Sequence, residues 1–409
     1  MKKIIIFLLW IIFCSNSGAT TYFVATNGND SNNGTNKNSP LLTVAKAISL
    51  VSAGDHVQVR GGIYYFSSTI SISISGTQTD SCFLFSYPGE RAILDFSGNA
   101  KGMAGINLSG SYWHIKGLDI RKAGKDGMYI NTGGNNVIEF CSFYENNFVG
   151  LRLSSGAHDN KIINCDAYFN ADPPRYGNAD GFQCGTSPGS NNYFFGCRSW
   201  LNTDDGFDGY LRGTDDVSTV YINCWAWLNG YLKDGTDAGR EANGNGFKTG
   251  GSDEPRKLMH NATLKNCVAF DNKATGFDQN SNDGTMILYN CTAYRNKSNF
   301  GFGQSIGTGK SIEIKNCVAV DGKVTIADFA KQETNSWMSP FLITPDDFIS
   351  LDTTGITGPR KADGSMPDLK FVHPARGSDL IDKGTNVGIP YTGKAPDLGA
   401  YEFNLTPDR

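Results

Sequence analysis

Charge is scarce in this chain and nowhere concentrated. Charged residues make up 19% of the 409 positions, the formal net charge is −4, and no cluster of lysines and arginines forms a basic patch. A nucleic acid is therefore excluded as a partner, because its phosphates are bound by a basic face. An acidic ligand of another kind would have to be met by a few lysines or arginines, or by a bound metal. Long apolar runs are equally rare: apart from Ile4 to Phe13, no stretch is apolar enough to suggest a membrane span. Histidine occurs five times and no C-x-x-C pair exists, so the ten cysteines lack the ligand spacing of a zinc site.

The single apolar run follows Met1-Lys2-Lys3 and precedes Ser15-Asn16-Ser17-Gly18-Ala19. That order of charge, apolar core and small residues is the pattern of a secretory signal peptide. Ser17 and Ala19 are spaced for cleavage before Thr20, which leaves residues 20–409 and, with Lys2 and Lys3 removed, a formal charge of −6. The alternative is a lipid-anchored start at Cys14, although Ile11-Ile12-Phe13 ahead of it lacks the small residues such processing prefers. The expectation is a secreted or periplasmic monomer, with surface attachment through Cys14 as the variant.

Glycine is abundant at 49 residues, which suits many tight turns between short strands. A C-x-x-x-x-N phrase recurs at Cys141/Asn146, Cys165/Asn170, Cys197/Asn202, Cys224/Asn229, Cys267/Asn272 and Cys291/Asn296, and Cys317 opens a decayed copy with Gly322 in the Asn slot. The cysteines are 24, 32, 27, 43, 24 and 26 residues apart, a unit near 24 with insertions. Around each cysteine the side chains alternate, as in Tyr221-Ile222-Asn223-Cys224-Trp225-Ala226-Trp227. Short alternating strands bury a face only by stacking on neighbouring copies, so the pattern predicts an all-β, right-handed parallel β-helix. Equivalent residues then stack about 4.8 Å apart, giving an internal ladder of buried cysteines and a ladder of asparagines at the following turn. One domain is expected over 20–409, with an N-terminal cap over about 20–65, the clearest repeats over about 119–322 and a tail over about 323–409. Leu41 to Ile48 reads as a short amphipathic helix that closes the first coil.

A second register carries chemistry. Glycine recurs at Gly127, Gly150, Gly181, Gly206, Gly246, Gly276 and Gly301. One position earlier lie Asp126, Val149, Asp180, Asp205, Asn245, Thr275 and Phe300; two positions later lie Tyr129, Arg152, Gln183, Asp208, Lys248, Asp278 and Gly303. Stacking on this register predicts that Asp180, Asp204, Asp205 and Asp208 converge, with Lys248 one coil beyond Asp208. Carboxylates at strand spacing repel unless a cation holds them. Oxygen ligands on a β-scaffold point to Ca²⁺. By itself T-D-D-G-F-D also reads as a solvated turn, and the Asp180 and Lys248 columns are what favour the ion.

The segments NADGFQ (178–183), DDGFDGY (204–210) and GNGFKTGG (244–251) resemble those of polysaccharide lyase family 9, the calcium-dependent pectate lyases and related pectin-backbone lyases. The likeness spans roughly residues 119–320. It implies calcium ligands at Asp180, Asp204, Asp205 and Asp208, a general base at Lys248, and β-elimination of a galacturonate-containing, acidic plant cell-wall polysaccharide. It also matches the family's later segments at 276–280 and 260–267. Substrate contacts are expected from Arg152, Tyr210, Arg212, His260, Phe277 and Asn280, and Trp225 and Trp227 are candidate sugar platforms. The insertion that contains 236–241 departs from the family pattern and leaves polygalacturonate and rhamnogalacturonan I both open. A hydrolase on the same fold and a noncatalytic glycan-binding solenoid are the competing readings.

Overall fold

The computed structural model describes residues 18–403. The signal-peptide run and Cys14 lie outside the described residues, and no helix within them is long and apolar enough to cross a membrane.

The alternating segments form strands whose inward positions are buried and outward ones partly exposed, as in Val217–Ile222 and His260–Lys265. Coils of such strands build three parallel sheets. The first has twelve strands, from Thr21–Val24 to Lys331–Glu333; the second has ten, from Gly62–Tyr65 to Val318–Val320; the third has ten, from Ile70–Ile72 to Lys323–Ile326. Each complete coil adds one strand to each sheet, which is a parallel β-helix wound in the right-handed sense of parallel crossovers. Strands begin at Thr21, so the segment expected only as a cap already contributes coils.

The helix that closes the first coil covers Val44–Ile48, shorter than the sequence pattern suggests. Leu41 instead bridges Val24 in the parallel sense, and the Thr43 hydroxyl caps the helix by accepting the Lys46 N–H at 3.1 Å. Val44, Ala47 and Ile48 enter the core.

Two ladders hold the coils in register. Cys141, Cys165, Cys197, Cys224, Cys267, Cys291 and Cys317 are all buried and free. The residue before each of the seven has φ between 51° and 62°, and five are asparagines and one a glycine, the residues that tolerate this left-handed turn. Asn146, Asn170, Asn202, Asn229, Asn272 and Asn296 each pass an amide N–H to the next carbonyl oxygen at 2.8–3.0 Å, ending on Asn299. Gly322 explains the decayed copy: a Cβ there would lie 2.5 Å from the Asn299 amide, so the empty slot is filled by a side chain from the coil before. Asn299 rather than Gly301 stands level with Gly276, pairing Phe300 with Phe277 and Gly301 with Asp278, and the irregularity falls against the following strand, between Ser298 and Phe300. The expected column positions of Phe300 and Gly303 are therefore corrected by two residues.

The tail beyond Glu333 lies along the outer face of the second sheet. Phe348, Ile356, Phe371, Val372, Leu380 and Leu398 pack on Trp200, Trp225, Trp227, Val268, Phe270 and Tyr294. Asp166 of the coil takes Arg198 at 2.6 Å and Arg360 of the tail at 2.5 Å. Trp225 and Trp227, 3% and 1% exposed, are consequently covered by the tail and do not present sugar platforms.

Candidate active site

On the third sheet Phe182, Phe207, Phe247, Phe277 and Phe300 pair in series, with ring centroids 4.6–5.1 Å apart inside the helix. Successive residues of a strand point to opposite faces, so Gln183, Asp208, Lys248 and Asp278 form the outward column. The glycine ahead of Phe182, Phe207, Phe247 and Phe277 is demanded by contact. A Cβ on Gly206 would stand 2.6 Å from the Gly246 carbonyl oxygen and 2.8 Å from Asn229 Nδ2, and Gly181 and Gly246 are enclosed in the same way. That close approach aligns the preceding residues. Asp180 Oδ1 accepts the Asp205 N–H at 3.0 Å, and Asp205 Oδ1 accepts the Asn245 N–H at 2.7 Å.

Asp180, Asp204 and Asp205 are buried and can each offer one oxygen such that all three lie within 4.8 Å of one another. Burial, then the neighbouring carboxylates, pushes Asp180 and Asp204 well above the usual carboxylate range. Asp205 is raised by burial and partly held down by Lys248. A buried set of hard oxygen donors that repel one another fits a hard divalent cation, which supplies the missing charge. Asp208 stands beside the triad with its oxygens engaged by the Tyr210 N–H at 2.9 Å and by Gln183 Nε2 at 3.0 Å. Gln183 also donates to Asp180 Oδ2 at 3.0 Å, tying the two acids together.

Lys248 Nζ lies 3.1 Å from Asp205 Oδ2 and 3.6 Å from Asp208 Oδ1, over the Tyr210 ring. Its burial lowers the stability of the ammonium, yet Asp205, Asp208, Asp204 and Asp180 together outweigh that and hold its pKa well above the ordinary lysine value.

Lys248, Asp180, Asp204 and Asp208 line one groove of about 410 Å³, together with Arg152, Tyr210, Arg212 and Asn280. Two of the expected substrate contacts are elsewhere. Phe277 is fully buried in the phenylalanine stack, since it occupies the inward parity of its strand. His260 is also fully buried. Its Nδ1 meets the Gly209 carbonyl at 2.7 Å, and because a carbonyl only accepts, that nitrogen carries the proton while Nε2 accepts from the Thr219 hydroxyl at 2.7 Å. Burial lowers its pKa, so the imidazole is a neutral brace behind Asp208 rather than a ligand group. Gln183, Lys125, Phe148, Thr186, Asn178 and Asn243 border the groove without having been singled out. Gln183 was legible in the Asp208 column; Asn243 was not, because it enters from the long insertion to donate its N–H to Asp204 at 2.8 Å.

Fold and site together define a β-helical protein with an acid triad and a buried amine on one outward face. The chain belongs to the Pel9A-like, right-handed β-helix family, which it matches over residues 22–316. It is 37% identical to pectate lyase L of Dickeya chrysanthemi, covering 95% of this chain and 92% of that protein. The identity to pectate lyase L of Paenibacillus polymyxa is also 37%, over 90% of this chain and 84% of the relative. The crystal structure of pectate lyase Pel9A superposes with a TM-score of 0.87 at 36% identity, covering 95% of this chain and 97% of that one. A rhamnogalacturonan lyase superposes with a TM-score of 0.75 at 26% identity, covering 87% and 97%. The chain is accordingly a polysaccharide lyase.

Proposed function

We propose that this protein is an exported, calcium-dependent lyase that cleaves the galacturonate-containing backbone of pectin, either polygalacturonate or rhamnogalacturonan I, by β-elimination. The observation that carries the reading is the placement of Lys248 Nζ 3.1 Å from Asp205, beside the buried acid triad and at the wall of an open groove. Asp180, Asp204 and Asp205, with Asp208 alongside, would hold the ion. When bound, calcium supplies positive charge to the uronate carboxylate and so acidifies the proton on the adjacent C5.

The residues of the chain do the remaining work. Gln183 keeps Asp180 and Asp208 apart from each other at a fixed distance by donating to both. Lys248 Nζ, in its neutral form, accepts the C5 proton; the C5–H electron pair becomes the C4–C5 double bond as the C4–oxygen bond breaks. The departing oxygen is protonated from solvent. Tyr210, Arg212, Arg152 and Asn280 line the groove at positions suited to the flanking sugars. Arg212 is oriented from outside by Asp253, 3.6 Å away, which also accepts from the Tyr210 hydroxyl at 2.8 Å.

The test is the appearance of ultraviolet-absorbing unsaturated ends from polygalacturonate, methylated pectin and rhamnogalacturonan I, each with calcium and with chelator. Product from at least one polymer, abolished by chelator, is expected. Chain cleavage that persists in chelator and yields saturated ends would replace the lyase with a hydrolase, whereas binding with no cleavage of any of the three would reduce the protein to a glycan-binding solenoid.

A further inference from the structure

The register that pairs Asp205 with Lys248 occurs a second time in the molecule. Asp126 precedes Gly127 as Asp205 precedes Gly206, and Arg152 follows Gly150 by two positions as Lys248 follows Gly246. In both cases the cation lies one coil beyond the acid. Asp126 is fully buried, and neither of its oxygens finds a hydrogen-bond partner among the described residues. Its nearest cations are Lys125 Nζ at 3.9 Å and Arg152 Nη1 at 4.0 Å.

Those distances matter chemically. At about 4 Å an ion pair inside a protein still attracts, yet neither cation gives Asp126 a hydrogen bond. Asp126 therefore holds the guanidinium by charge without taking a hydrogen bond from it. Arg152 is further fixed by donating Nη2 to Thr186 Oγ1 at 2.9 Å and by lying over the Tyr129 ring, while its Nε is buried without a partner. Lys125, Arg152, Thr186 and Phe148 all border the groove that holds Lys248.

Arg152 pairs with Gln183, and Gln183 with Asp208, so Arg152 stands in the Asp208 column, one rung from the coil that carries Asp180 and two rungs from the coil that carries Asp205 and Asp208. Two rungs are about 10 Å, a length that an extended chain of pyranoses covers in two sugars. We propose that Arg152 and Lys125, set in place by the buried Asp126, form a second carboxylate subsite that takes the free uronate two sugars away from the one at Asp180 and Asp205. The inference rests on the groove binding a uronate polymer. Both polygalacturonate and rhamnogalacturonan I carry a uronate at that spacing, and a methyl ester there forfeits the charge-assisted contact. Asp126 is a positioning residue that acts through Arg152.

The experiment measures calorimetric binding of oligogalacturonates of increasing length to the inactive Lys248→Ala protein in calcium, with and without Arg152→Ala or Asp126→Asn. Affinity is expected to step upward once the oligomer reaches the second subsite. Arg152→Ala should erase that step, weakening long oligomers about ten- to a hundred-fold while leaving the shortest unchanged. Asp126→Asn should reduce the step, and add nothing further on top of Arg152→Ala. Should Asp126→Asn fail to fold, Lys125→Ala, at a partly exposed position, is expected to trim the same step. A step of full size in Arg152→Ala, or an equal loss at every length, overturns the subsite. Absence of binding by oligomers of any length instead overturns the uronate reading itself.

Discussion

Lys248 is asked for two incompatible things by its surroundings. As a base it must be neutral, but four carboxylates hold its proton against the effect of burial. Under the proposed function the charge needed to release that proton would come from the ion held by the acid triad, making the amine and the ion site one unit. Lys248→Ala is expected to lower kcat by about a thousand-fold, with calcium binding retained, as read by steady-state rates and a calcium titration. Because only the neutral amine works and its pKa is raised, the rate should climb with pH on the alkaline side, and saturating calcium should move that rise to lower pH. A pH–rate profile at two calcium concentrations checks both. At this scale parity decides roles: Asp278 faces out and Phe277 faces in, one residue apart, and the glycine register in the sequence already contains that alternation.

At the scale of the element, the coil is a stack of contacts that admit no spare atom. Glycine recurs before Phe182, Phe207, Phe247 and Phe277 because the next coil's carbonyl and an asparagine amide occupy the place of its Cβ. Gly206→Ala is expected to cost about 2–3 kcal/mol of stability and to weaken calcium binding, since it displaces Asp205; thermal unfolding and a calcium titration would show the two losses together. Asn229 Oδ1 accepts both the backbone and the side-chain N–H of Asn202, at 3.3 and 3.0 Å. Asn229→Ala leaves the buried Asn202 N–H unmet, while Asn202 Nδ2 keeps the Ala167 carbonyl and the Ser199 hydroxyl, and should cost about 2 kcal/mol, with a calcium affinity close to the parent's. The C-x-x-x-x-N phrase made these ladders legible. The two-residue shift at Asn299 was not legible, because it depends on the empty volume at Gly322 rather than on any residue spacing.

For the whole molecule, the acid triad makes stability depend on pH and on the ion. Asp180, Asp204 and Asp205 have raised folded-state pKa values, so without metal the folded chain keeps protons that the unfolded chain releases. Stability from this source is present below the ordinary aspartate range and is lost as pH rises through and above it. Under the proposed function calcium would bind the deprotonated acids and reverse the trend. In chelator the melting temperature is expected to fall between about pH 5 and pH 8, while the increase on adding calcium grows over the same interval, reaching about 3 kcal/mol at a hundred-fold excess over Kd. The tail is a second molecule-wide device. Ending the chain after Glu333 would uncover Trp200, Trp225, Trp227 and Phe270 and remove Arg360 from Asp166. Such a truncation should aggregate or melt well below the full chain, measured by light scattering and thermal unfolding.

The sequence by itself determined the solenoid, its Cys and Asn ladders and the convergence of Asp180, Asp205, Asp208 and Lys248, because stacking copies maps a linear repeat directly onto neighbouring rungs. Tertiary structure alone decided what approaches that face from outside the repeat. It brought Asn243 of the insertion to Asp204 and laid the tail over the tryptophans. Those segments carry no repeat, and their positions are set by which buried surface and which unpaired polar groups they can satisfy once the coils have formed.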